Sequence, residues 1–581
     1  MVILAIGNIN LKISILISTN TKYDYIIVGS GICGSIAAYF LAKSDKKILL
    51  IEAGEKRDND RINMSGRYAK TSRKTPGSPY FKKNQFAESP DFKESVNQRN
   101  IKDNNNFYVF DIENDKFKNV FKSTYQRIAG GSTWHWLGNV PRFVPNDFKI
   151  KTTYGVGKDW PISYADLEPY YCIAETEIGV SGNHEKWNNY LGAYRSEPFP
   201  MSEIWECYAD TLFIKNVDGK KIKGKEIKIL PTPQSRNSEN YQGRPPCAGN
   251  SSCVPICPIQ AKYDATVHLN KAIKTGNVEI IYNAVVNKLI ENKTKEIVNL
   301  SYLTYNNKEI TISTINAKVI LAANSIEISR LLLNSNIANS SDQVGRNLMD
   351  HAQGYVNALT KKKIFPFRGP LTTSGIDAFR DGKERKDYSP FRISIGNDGW
   401  GRIKSPNAVV RELIIKENLS GDKLFKAVGE VVTRMVRMSY STEVLPNENN
   451  RVTLSDENDK IGIKKPKISF NITKYNEDAF KVAKEICTKI FNEVGVSILS
   501  TNDNHEYSGA GHIMGTTCMG EDSKKSVVDH YGKTHDNQNL FIVGPSVFPT
   551  SGTANPTLTA VALTIRTIDQ LLNHKNSNNE I

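Results

Sequence analysis

The chain has 581 residues, 39% hydrophobic and 24% charged, the balance of a globular protein long enough to bury a core without covalent staples. Its formal charge of +15 is scattered, and even the lysine run 361–363 carries no interleaved aromatics, which argues for a solvated basic surface and against nucleic acid as a partner. No stretch reaches the roughly 18–20 apolar residues of a membrane-spanning helix. The mildly apolar start is broken by Asn8, Asn10 and Lys12 and lacks a basic leader, so residues 1–21 read as an N-terminal extension or a mis-assigned start at least as readily as a secretion signal.

In chain order, the first strong element is YDYIIVGSGICGSIAAYFLAKSDKKILLIEAGE, residues 23–55. Tyr25–Val28 reads as a buried strand, 35–42 as a helix, and Ile48–Ile51 as a second buried strand that ends at Glu52. Residues 56–120 are polar and predict loops and short helices. A Gly- and Trp-rich stretch covers 121–143, and WPISYADLEPYY predicts a turn leading into a helix that runs to about Ile178. Residues 181–246 read as loop, punctuated by Pro231, Pro233, Pro245 and Pro246. Helix and strand return from His268 to Leu333, with a buried strand at 319–322 and a helix at 327–333. Alternating stretches within 355–500, such as 430–438, predict a sheet that covers a cavity. The tail from 511 to 572 predicts strand, loop and a long final helix, and no internal repeat is visible.

The glycines between the first strand and helix form G-x-G-x-x-G. Gly29 permits the tight turn, Gly31 lets the backbone approach a pyrophosphate, and Gly34 lets helix and strand pack closely. The helix start offers N–H donors to phosphate. Glu52, at the end of the next strand, is placed to accept hydrogen bonds from ribose hydroxyls. Strand, turn, helix, strand and terminal acid together point to a bound dinucleotide, although the motif alone does not separate FAD from NAD.

Further strings carry a family resemblance: AGGSTWHW at 129–136, VGRNLMDH at 344–351, EVLPNENNRVTLS at 443–455, GHIMGTTCMG at 511–520 and NLFIVGPSVFPTSGTANPTLTAVAL at 539–563. With the glycine turn and WPISYADLEPYY they resemble the glucose-methanol-choline oxidoreductase family over about residues 22–575. The resemblance implies FAD as cofactor and an alcohol of a sugar, polyol or sugar acid as substrate. It makes His512 the general base for the hydroxyl proton and Asn555 the amide that orients the same hydroxyl; without it, the two would read as a structural histidine and a turn asparagine. It also places Gly130, Gly131, Ser132, His135, Val286, Gly544, Pro556 and Thr557 around the flavin. In some sugar-oxidising members a histidine at the place of His135 is covalently joined to the flavin; others hold FAD noncovalently. The pair Gly544-Pro545 departs from relatives with an acidic residue nearby.

Three of the eight cysteines fall in CAGNSSCVPICP: Cys247, Cys253 and Cys257. Their spacing suits a soft metal centre with three ligands, while a zinc site would want a fourth, a disulfide would leave one thiol over, and plain buried thiols also fit. The segment resembles that of bacterial FAD-dependent glucose, fructose, sorbitol and gluconate dehydrogenases, which implies a [3Fe-4S] cluster. It further implies a small subunit and a cytochrome c subunit as partners, and a place at the periplasmic face of the inner membrane reached through them; without such partners the chain would be cytoplasmic. The expected fold is mixed α/β. A doubly wound FAD domain is assembled from 22–60, 120–150, 255–355 and 508–575. A sheet-plus-helices substrate domain takes 151–254, with the cysteine segment, and 356–507. Two alternatives remain: an oxidase of the pyranose-oxidase kind that uses oxygen, and a non-redox relative with FAD as scaffold.

Overall fold

The computed structural model describes residues 16–17, 22–57, 60–70, 107–111, 121–399, 403–404, 406–501 and 508–573. The apolar runs YIIV and ILLI form β1 (Tyr25–Val28) and β2 (Ile48–Ile51), with every residue buried, on either side of α1 (Ile32–Lys43). Unbroken apolar strands are what a parallel sheet covered on both faces selects. α2 (Thr266–Lys274) leads into β3 (Val278–Ile281), β4 (Lys318–Leu321) into α3 (Ser325–Ser335), and β5 (Leu540–Ile542) precedes α4 (Thr557–Asn573). The strands stand in the order β5-β4-β1-β2-β3, each pair parallel, which is the arrangement of a mononucleotide-binding half. Val28 pairs with both Ile51 and Leu321, so β1, β2 and β4 finish level and their carboxyl ends open on one crevice. α1 packs against α2 and α4.

A six-stranded antiparallel sheet lies over that crevice. Its order is Ser497–Thr501, Ala352–Leu359, Met435–Thr442, Phe391–Gly396, Thr372–Ile376 and Ile229–Pro231. Its strands alternate in character: Val436, Met438 and Tyr440 are apolar and buried, whereas Arg437, Ser439 and Ser441 are polar. The long helix Lys474–Val494 packs on the sheet, with Phe480 against Tyr440. One face is therefore core, and the polar face is left for the cavity.

The expected mixed α/β fold with a sheet over a cavity is what forms, but two local expectations need correction. Residues 430–432 end a helix, Gly421–Val432, and the strand begins only at Met435. A helical hairpin (Pro406–Glu417 and Gly421–Val432) is inserted before that strand and packs around Val409, Leu413, Val432 and Met435. Within 181–246, Tyr208–Val217 is a helix and Ile229–Pro231 a strand. Pro231 is tolerated because its strand is the sheet edge, where a missing N–H costs no ladder bond. The helix read through WPISYADLEPYY is Tyr164–Ile178, started by a reciprocal cap between Ser163 and Asp166. Apart from the short strand Leu16–Ile17, residues 1–21 lie outside the described residues, as does most of 56–120, within which Arg61–Lys70 is helical and Val109–Phe110 a short strand.

Candidate active site

One cleft of about 440 Å³ runs from the glycine turn to the polar face of the antiparallel sheet. At the turn, Gly29 has φ +100°, and a Cβ on Gly34 would stand 1.9 Å from the carbonyl oxygen of Gly29, so helix and strand meet there only through glycine. A Cβ on Gly31 would meet nothing within 4 Å, which leaves an open cradle before the start of α1. No side chain caps that helix start. Its first N–H groups are therefore available to an anion that enters the cleft. This cradle fits the pyrophosphate of a dinucleotide.

Glu52 lines the cleft at the end of β2 and is held in place. One carboxylate oxygen accepts from Ser30 N at 2.8 Å and Ser30 Oγ at 2.6 Å, the other from Gly54 N at 2.7 Å. Burial pushes its pKa up. Each oxygen has two lone pairs, so room for a ribose hydroxyl remains. Gly131, Ser132, His135, Val286, Gly544 and Thr557 also line the cleft. Gly34, Gly130 and Pro556 do not. Gly34 acts through packing, as its spacing predicted. Gly130 takes the left-handed turn, at φ +89°, that sets the residues after it against the wall. Pro556 lies one step behind the wall, between Asn555 and Thr557. His135 is buried, and burial together with nearby Lys262 pushes its pKa down to about 3, so its imidazole is neutral.

At the far end His512 and Asn555 meet, 43 positions apart in the chain, with Asn555 Nδ2 3.1 Å from His512 Nε2. Backbone pairing explains how. The loop that carries His512 runs antiparallel beside residues 349–353, with Met349 and Met514 exchanging two hydrogen bonds of 2.9 Å. Gly515 allows this approach, since a Cβ there would fall 2.0 Å from Asn347 O. The same pairing brings in two residues that lay in the VGRNLMDH string without an assigned role. Asp350 accepts the backbone N–H of His512 at 2.8 Å and is hydrogen-bonded to Ser123, whose Oγ accepts from Gly511 N at 2.9 Å. His351 Nδ1 lies 2.8 Å from His512 Nδ1, and His351 Nε2 lies 2.9 Å from the carbonyl oxygen of Gly552.

These contacts fix the tautomers. A carbonyl only accepts, so His351 Nε2 carries the proton. In a neutral ring its Nδ1 is then an acceptor, and His512 Nδ1 must donate to it. His512 Nε2 is left with a lone pair, and Asn555 turns an N–H toward it. Burial lowers the pKa of both histidines, His512 well below the ordinary value, so the neutral forms hold at working pH. The arrangement is a neutral imidazole with an open Nε2 beside an amide at the wall of the cleft.

The three cysteines do not line the cleft, although Val254 between them does. Among the described residues no three His, Cys, Asp or Glu side chains close on the position of one metal ion. The thiols stand in a cationic setting: Arg236 Nη2 lies 3.1 Å from Cys253 Sγ, and Gly249 N donates to Cys247 Sγ at 3.4 Å. Buried Lys262 donates to the carbonyls of Thr133, Trp134 and Trp136, and Arg236 to that of Leu137. The cysteine segment is thereby tied to the turn that lines the cleft.

Comparison with known proteins bears directly on this geometry. GMC oxidoreductase models match residues 229–353 and 446–564, and a NAD(P)-binding Rossmann-like model matches 27–56. The fructose dehydrogenase large subunit of Gluconobacter japonicus is 34% identical over 95% of this chain and 98% of its own. The chain is a GMC oxidoreductase. It is an FAD-dependent enzyme that acts on CH–OH groups, and the Rossmann-like half of its fold carries the glycine turn. Among more distant relatives of this oxidoreductase is the gluconate 2-dehydrogenase flavoprotein of Pantoea cypripedii, 23% identical over 94% of the chain and 92% of its own. In solved structures the fold recurs in pyridoxine 4-oxidase from Mesorbium loti, at a TM-score of 0.62 and 16% identity, covering 95% of this chain and all of that one.

Proposed function

We propose that this oxidoreductase is the catalytic subunit of a dehydrogenase that oxidises one hydroxyl of a sugar-like substrate. His512 is the base and Asn555 the orienting amide. The observation that carries the reading is the hydrogen-bond chain from Gly552 O through His351 to His512, which presents an unprotonated Nε2 at the cleft. A substrate hydroxyl seated between Nε2 and the Asn555 amide gives its proton to Nε2 while the amide holds its oxygen. FAD would supply the two-electron acceptor for the hydrogen on the carbinol carbon. Gly29, Gly31, Glu52, Gly131, Ser132, His135, Val286, Gly544 and Thr557, which line the cleft, would hold it, with Gly34, Gly130 and Pro556 shaping the backbone behind them.

The thiols of Cys247, Cys253 and Cys257 do not converge on one ion, and Arg236 and the Gly249 N–H stand beside Cys253 and Cys247. Three thiols in such a setting suit an iron–sulfur cluster of the three-iron kind, and such a cluster would supply a one-electron exit toward a cytochrome-type acceptor. The Gluconobacter relative is itself a large subunit, which supports partners for this chain, and we include a small subunit and a cytochrome c subunit in the proposal. Among the described residues no helix is long and apolar enough to cross a membrane, which suits attachment through such partners at the periplasmic face. The test is anaerobic mixing of the flavin-loaded protein with sugars and polyols. Bleaching of the flavin band is expected, with dye reduction in air exceeding peroxide release. A flavin that no alcohol bleaches would overturn the reading.

A further inference from the structure

The helical hairpin Pro406–Glu417 and Gly421–Val432 carries more apolar side chains than its own core uses. Val409, Leu413, Leu424, Val428 and Val432 pack together with Met435. Outside that core, Phe425 is 81% exposed, Ile415 67% and Ile414 45%. Ile414 follows the core residue Leu413 by one position, and Phe425 follows the core residue Leu424 by one. One position is about 100° around a helix, and in an antiparallel pair equal steps from the contact fall on the same side. Ile414 and Phe425 therefore share one face of the hairpin near its tip. Single exposed apolar residues are ordinary, but a cluster of them marks a surface that meets something. The edge strand Ser497–Thr501 adjoins it: Ser497 pairs with Leu359, which packs on the hairpin core, and Leu499 is 46% exposed.

Lysines surround these apolar side chains. Lys416 follows Ile415, and Lys423 and Lys426 stand two before and one after Phe425, all three exposed. The lysine run 361–363 is tied to the base of the same hairpin. Thr360 N donates to Arg434 O and Phe365 N to Thr433 O, each at 2.9 Å, and Lys363 Nζ lies 2.6 Å from Glu430. Residues 361–363 and 403–434 together hold nine basic and four acidic side chains, a net charge of +5.

That composition separates the occupants such a face could take. Lysine is depleted from protein–protein interfaces, so a protein partner fits poorly. A second copy of this chain would set like charge against like. An anionic bilayer suits both features, because lysine stems lie along apolar surface while their ammonium groups stay among the headgroups, and the apolar side chains between them reach the acyl boundary. We propose that the hairpin docks the protein on an anionic lipid surface, with Phe425, Ile414 and Ile415 entering the acyl boundary and the surrounding lysines facing lipid phosphates. Among the described residues no helix is long and apolar enough to cross a membrane, so the contact is one that lies on the surface. It is independent of the chemistry of the cleft, and it gives the chain a lipid contact of its own beside any attachment made through partner subunits.

The experiment sediments the flavin-loaded full chain with vesicles of phosphatidylethanolamine and phosphatidylglycerol, and with phosphatidylcholine vesicles as the neutral control. Binding to the anionic vesicles is expected, weakening as salt is raised, with little binding to the neutral ones. Phe425→Ser combined with Ile415→Ser is expected to lower the affinity by at least about tenfold. Lys423→Gln and Lys426→Gln are expected to lower it by about fivefold each. Flavin content is expected to be unchanged in all of these surface variants, which shows that they fold. Phe425→Trp supplies a reporter at the site, and its added emission is expected to be quenched by anionic vesicles brominated on the acyl chains. Absence of binding to the anionic vesicles, or quenching no greater than in the native protein, overturns the proposal. Binding that depends on the lysines but survives in the Phe425/Ile415 double variant reduces the contact to charge alone and overturns it as stated. Self-association that the same double substitution abolishes, without vesicle binding, assigns the face to a second copy instead.

Discussion

His351 decides the state of His512 without touching the position where a substrate hydroxyl would sit. Replacing it with alanine removes the acceptor that holds the His512 proton on Nδ1, and we expect kcat/KM to fall by about 10- to 100-fold while flavin content is kept. The pH profile separates this from a packing defect. Burial depresses the pKa of His512, so the neutral base persists below the ordinary histidine range and protonates only in stronger acid. The acid limb of kcat/KM for the native protein is expected below about pH 6.5. In His351→Ala the neutral acceptor that favours a proton on His512 is gone, and the limb is expected to move to lower pH. A limb that stays in place would leave His351 a packing residue.

At the scale of elements, the strand–turn–helix at 25–43 is the part most legible in sequence, because each of its glycines has a local reason visible without the rest of the chain. Gly34→Ala tests it. With its Cβ 1.9 Å from Gly29 O the turn must open, so the purified protein is expected to carry less flavin per chain, measured by the ratio of flavin to protein absorbance. Other elements were less legible. Alternation through 430–438 reads as one strand, yet the helical hairpin ends inside it, because Val432 and Met435 belong to the hairpin's own small core and not to the sheet alone. The helix Tyr208–Val217 hides among prolines and turn residues. His512 and Asn555 are legible through their motif surroundings, whereas the role of His351 is not. Its role depends on backbone pairing between segments 161 positions apart, which no local pattern reports.

Over the whole molecule, the two sheets divide the work: the parallel sheet presents a helix start and a glycine cradle, and the antiparallel sheet presents a polar wall. The cysteine segment adjoins this cleft through Val254 and through the bonds of Lys262 and Arg236 to the 133–137 turn. If it holds an iron–sulfur cluster, Cys253→Ser is expected to lose iron and acid-labile sulfide, keep its flavin, keep substrate-dependent flavin bleaching, and lose transfer to a cytochrome-type acceptor. Native protein with no iron and no labile sulfide after anaerobic purification would remove the electron exit and leave the flavin chemistry intact.

The central claim is that Nε2 of His512 takes the substrate proton. The most direct measurement is the rate at which an alcohol bleaches the flavin under anaerobic single-turnover conditions in His512→Ala against the native protein, with flavin content equal in both. The account predicts a fall of at least about a hundredfold in that rate. A rate within about twofold of native would contradict it.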